Sequence, residues 1–155
     1  MQFKILKEIY EKDKNIAVFT EYLTDDAIRQ MHENKYDDDT TWLPFLKPLC
    51  EFCKANNIPI FSLEPIKEWY HISGEFRSVQ MFKRFLKEYR EKFYGKEEKN
   101  LVLFMAKFHG DYFEELLREM GYQVILYDIT PADKDQINPD DYHVEGDKKF
   151  ERFRY

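Results

Sequence analysis

The chain has 155 residues, 43% of them hydrophobic and 17% aromatic, with 24 Lys and Arg against 30 Asp and Glu for a net charge of -6. That length supports one domain with its own core, and the acidic balance argues against a nucleic-acid module that works by broad phosphate neutralisation. No apolar run reaches membrane-spanning length, Met1-Gln2-Phe3-Lys4 lacks a signal-peptide core, and the expected setting is reducing and cytoplasmic.

Phe3, Ile5, Leu6, Ile9 and Tyr10 recur at helical spacing, which predicts an opening amphipathic helix ended by Asp13-Lys14-Asn15. Ile16 to Phe19 is a short apolar run suited to a strand buried on both faces of a parallel sheet. Thr24-Asp25-Asp26 offers an N-cap and two first-turn acids for a helix over Ala27 to Asn34. Lys35 to Thr41 reads as an exposed loop, Trp42 to Ala55 as a helix, and Ile58 to Leu63 as the second strand. Cys50 and Cys53 fall inside that helix rather than at its start, so they read as half-buried side chains and not as a redox pair.

Glu64-Pro65 opens a loop through Gly74, and Ser78 to Phe93 is predicted as the longest helix. Leu101 to Met105 is the third strand, with His109-Gly110-Asp111 connecting it to a helix over Tyr112 to Met120 that Gly121 stops. Val124 to Tyr127 is the fourth strand, Thr130 to Asp141 a long loop, and a short helix is expected from Gly146 onward. Strands alternating with helices predict a single α/β domain over 1–155, a three-layer α/β/α arrangement with a mainly parallel sheet of four or five strands.

The chain also echoes itself. Phe3 to Lys12 leading into Ile16 to Phe19 parallels Phe85 to Lys92 leading into Leu101 to Phe104, and His71-x-x-Gly74-Glu75 parallels His143-x-x-Gly146-Asp147. Two related halves, 1–80 and 81–155, are the expectation.

Ligands in open parallel sheets lie beyond the carboxyl ends of the strands. Glu21 with Asp25 and Asp26, Glu64, His109 with Asp111, and Asp128 all stand there, with His71 and His143 on loops. Carboxylates and imidazoles serve general acid-base chemistry or a divalent metal. His109 is favoured, since it follows a strongly apolar strand and precedes Gly110, where the chain turns sharply or a ligand approaches. With five glycines and neither a Gly-x-Gly-x-x-Gly nor a lysine-tailed phosphate loop, no nucleotide cofactor is expected.

The stretch from Ile16 to Pro65 resembles part of the Tiki/TraB/ChaN and erythromycin-esterase-like superfamily: an apolar strand ending in Glu21, a helix, then Trp42 and a helix entering Ile58-Pro59-Ile60. Arg77-x-x-x-Met81, the strand Leu101 to Met105 and His109 are similar to further motifs of that family. Its first Gly-Glu-x-x-His strand has no counterpart before Ile16, and Ala106 stands where its second motif has Gly. The resemblance implies a hydrolase-type site using Glu21, Arg77 and His109, metal-dependent in some members.

The last third, Ile125 to Pro131 and Asp140 to Gly146, is similar to the closing block of SGNH esterases, which implies Asp140 and His143 as the acid-base pair. The Gly-Asp-Ser nucleophile of that family is absent. The candidate catalytic set is therefore Glu21, Arg77, His109 and His143, and the candidate ligands for a divalent metal are Glu21, His109 and Asp128.

The function expected is that of a small hydrolase-like protein acting on a small molecule, or a degenerate relative. Two alternatives stand beside it. One is a protein-docking or homo-oligomeric module using Trp69, Tyr70, Phe76 and the Phe150 to Tyr155 tail; the other is a metal-dependent nuclease using Glu21, Asp25, Glu64 or Asp128.

Overall fold

The computed structural model describes residues 2–34, 46–93, 99–128 and 150–154. In chain order they form α1 (Gln2–Lys12), β1 (Ile16–Thr20), α2 (Asp25–Glu33), α3 (Leu46–Ala55), β2 (Ile60–Ser62), a 3-10 turn (Lys67–His71), α4 (Gly74–Phe93), β3 (Asn100–Met105), α5 (Lys107–Glu119), β4 (Val124–Asp128) and β5 (Phe150–Arg154). The strands make one five-stranded sheet in the order β2-β1-β3-β5-β4, and every neighbouring pair is parallel.

Side chains alternate across the central strands and so divide the core in two. Ile16 and Val18 of β1 and Val102 and Phe104 of β3 pack with α1, α2 and α3, through Ile5, Leu6, Met31 and Leu49. Ala17 and Phe19, with Leu101, Leu103 and Met105, face the other way onto Phe82 and Phe85 of α4 and Phe113 and Leu117 of α5. This is the three-layer α/β/α arrangement read from the apolar runs, with aromatic rings filling much of the second layer: Phe82 meets Phe113 edge-on at 5.0 Å between centroids.

Several boundaries differ from the sequence reading. Helix α4 starts at Gly74, a turn before Ser78, with the Arg77 amide donating to the Ser73 carbonyl at 2.8 Å. At that first position a Cβ would lie 3.1 Å from the Phe108 ring, so the glycine lets the ring approach closely. Helix α5 starts at Lys107, so His109 lies in a first helical turn and not in a connecting loop. Strand β2 is confined to Ile60–Ser62, and the helix expected from Trp42 is described from Leu46. The chain end is the largest correction: the segment expected as a short helix from Gly146 onward contains β5, inserted between β3 and β4.

That insertion bears on the internal echo. Strands β1 and β2 pair directly, whereas β3 and β4 are separated by β5. The helix-strand units α1-β1 and α4-β3 do end in neighbouring parallel strands.

Candidate functional site

After β1 the chain goes outward to β2 and then returns past β1 to β3, so the β1/β3 boundary is the place where the direction of winding reverses. Thr20 is level with Ser62 on one side and Phe104 on the other. The first residues beyond three adjacent strands are therefore brought to one spot. Helices α4 and α5 start at this end of the sheet, and their first turns present unspent N–H groups and positive dipole ends.

Five polar side chains meet there, all buried: Glu21 after β1, Glu64 after β2, Arg77 and Ser78 on α4, and His109 on α5. Arg77 donates through Nε to Glu64 Oε1, and through Nη2 to Glu64 Oε2 at 3.0 Å and Glu21 Oε1 at 3.2 Å. Its guanidinium thus bridges two carboxylates in a fork geometry that lysine lacks. Backbone amides complete the acids: Ala106 donates to Glu21 Oε2 at 2.7 Å, and Tyr22 donates to Glu64 Oε2 at 3.3 Å. Tyr22 holds a left-handed backbone, φ 62°. Its ring and that of Tyr70 lie 5.1 and 5.4 Å from the guanidinium carbon.

Ser78 and His109 extend this cluster. Ser78 Oγ lies 2.6 Å from His109 Nδ1 and 3.1 Å from the Gly74 carbonyl, and His109 Nε2 lies 3.6 Å from Glu21 Oε1. Ser78 Oγ and His109 Nδ1 are thus within hydrogen-bonding distance, with donor and acceptor set by the imidazole tautomer, and Glu21 lies by the far ring nitrogen at ion-pair distance.

One guanidinium against two buried carboxylates leaves a surplus negative charge. Burial pushes the Glu21 carboxyl up to about 6, with Glu64 adding to the rise and the Ala106 amide and Arg77 opposing it. Burial, and then the charge of Arg77, push His109 down to about 4, so its ring is neutral at neutral pH. Burial also drives the Cys50 thiol up to about 12, which fits an inert packing role for that residue.

The two carboxylates are arranged around the guanidinium. Both Glu21 oxygens and both Glu64 oxygens already accept from Arg77 or a backbone amide. Among the described residues no group of three or more His, Cys, Asp or Glu is placed to hold a metal ion.

The structure brings together Glu21, Arg77 and His109 from the sequence-derived set. His143 and Asp140 lie outside the described residues. Asp128 ends β4, three strand positions from β1, about 14 Å across the sheet at roughly 4.8 Å per strand. Asp25 points to a different partner, accepting from Arg84 at 2.7 and 2.9 Å. Trp69 and Tyr70 are half-buried, whereas Phe76 is 70% exposed.

Ser78, which sequence reasoning placed only at a helix start, is the residue it missed. The available signal was its place beside Arg77, one helical turn after Gly74. Comparison with protein-family models, with curated proteins and with solved structures gives no match. Among the described residues no helix is long and apolar enough to cross a membrane.

Proposed function

We propose that this protein is a hydrolase of the acyl-transfer class, with Ser78 as nucleophile, His109 as the proton carrier and Glu21 as the acid that orients and charges it. The observation that carries this reading is the Ser78–His109–Glu21 line, 2.6 Å and then 3.6 Å, at the strand ends where the winding reverses. A nucleophile, a base in contact with it and an orienting carboxylate are the three parts such chemistry needs, here with the two ring nitrogens exchanging their more usual roles.

In this reading Ser78 Oγ attacks the carbonyl carbon of an ester and its proton passes to His109 Nδ1. The carbon–oxygen bond to the leaving alcohol then breaks, and His109 returns the proton to that alcohol. Water attacks the acyl-serine by the same route, releasing the acid and restoring the hydroxyl. Ionised Glu21 stabilises the transient imidazolium through Nε2. Arg77 keeps Glu21 in place, and the first-turn N–H groups of α4 and α5 supply positive potential for the oxyanion.

A fluorophosphonate probe followed by peptide mapping tests this directly. The expected result is phosphonylation at Ser78 that is abolished in Ser78→Ala and slowed by about 100-fold in His109→Gln. The acid limb of ester hydrolysis should have an apparent pKa near 6, set by Glu21. Folded protein that leaves Ser78 unmodified overturns the acyl-enzyme reading.

A further inference from the structure

A cleft of about 430 Å³ opens between the first halves of α4 and α5, and Ser78 is part of its wall. The rest of the lining is Glu75 from α4 and Phe108, Asp111, Tyr112 and Glu115 from α5. On α5 these four residues stand at i, i+3, i+4 and i+7, a single stripe facing the cleft.

Two aromatic residues of that stripe shape the cleft. Phe108 is 60% exposed, although its ring lies against Gly74 at the mouth of the cleft. Tyr112, one turn along, is half-buried and set edge-on against Phe82 at 6.1 Å and 87°. Among the described residues, two aromatic rings therefore flank a space whose charged lining groups are the carboxylates of Glu75, Asp111 and Glu115. An aromatic face beside carboxylates attracts an organic cation, through the ring quadrupole and through Coulomb attraction.

We infer that this cleft binds a substituted ammonium group and that the substrate of Ser78 is an ester carrying such a cation. The substrate half of this inference rests on the hydrolase reading; the binding half stands on the cleft alone. Phe108 and Tyr112 take the alkylated nitrogen, Glu75 and Glu115 hold its charge, and the ester carbonyl is directed toward Ser78.

The test is titration of the full chain with choline and with its uncharged isostere 3,3-dimethylbutan-1-ol, followed by NMR. Choline is expected to bind at least about fivefold more tightly, with the preference shrinking as salt is added. It should disappear in Phe108→Ala and in the combined Glu75→Gln, Asp111→Asn, Glu115→Gln variant. Equal affinities, or no saturable choline binding, overturn the cation site whatever the outcome of Ser78 labelling. Choline binding without Ser78 labelling leaves the site standing and overturns the substrate assignment. A final comparison uses acetylthiocholine and 3,3-dimethylbutyl thioacetate: a kcat/KM ratio near one overturns that assignment too.

Discussion

Glu21 and His109 are displaced from their ordinary titration ranges in opposite directions, and this has a measurable consequence. Glu21 rises from 4.5 to about 6, so its folded form favours the proton: that stabilisation is full below pH 4.5 and is lost as pH rises through about 6. His109 falls from 6.5 to about 4, so its contribution is full above pH 6.5 and is lost as pH falls through about 4. Between about pH 4.5 and 6 the fold keeps a proton on Glu21 while the unfolded chain keeps one on its histidine, and the two trends nearly cancel. Each substitution should expose the other trend. Relative to wild type, His109→Gln should lose about 2 kcal/mol as pH rises from 4.5 to 6, and Glu21→Gln about 2 kcal/mol as pH falls from 6 to 4.5. Urea midpoints across that range measure both, and variants that parallel wild type would show the two groups titrating normally. Glu21 and His109 were legible as residues that end apolar strands. Their gathering with Glu64 at the strand ends was legible too, but the meeting with Ser78 was not, because that contact joins positions 31 residues apart and leaves no local periodicity.

At the scale of the elements, legibility followed apolar patterning. β1 and β3 are uninterrupted apolar runs buried along nearly their whole length, and they form the centre of the sheet as read. The starts of α4 and α5 were hidden by glycine, since Gly74 and Gly110 read as breakers although one begins a helix and the other is buried within one. Those two hidden turns are the ones that carry Arg77 and His109, so the site was harder to see than the fold that holds it. Helix α2 shows the opposite case. Thr24 was read as its cap, and its side chain accepts from the Ala27 amide at 3.1 Å, with Asp25 and Asp26 in the first turn. Thr24→Ala should cost about 1 kcal/mol in chemical denaturation, and Thr24→Ser should recover most of it. If both variants unfold with wild type, the cap contributes nothing measurable. Because α2 follows directly on Glu21 and Tyr22, the variant also asks whether the site depends on that helix.

At the scale of the whole molecule the decisive element is the last one. Phe150-Glu151-Arg152-Phe153-Arg154 is mostly charged and does not resemble the apolar runs that fill the middle of parallel sheets, which is why it was not read as a strand. It nonetheless pairs along all five residues with both neighbours, from Leu101↔Phe150 to Met105↔Arg154 on one side and from Val124↔Phe150 to Asp128↔Arg154 on the other. β5 therefore links β4 to the remainder of the sheet. Removing residues 150–155 would leave the inner edge of β3 and the whole of β4 without backbone partners, and unpaired strand edges promote association between chains. The truncated chain is expected to lose its cooperative thermal transition and to aggregate at concentrations where the full chain does not. A truncation at Phe150 that melts with an unchanged midpoint and stays monomeric would mean that β3 and β4 hold their places without it.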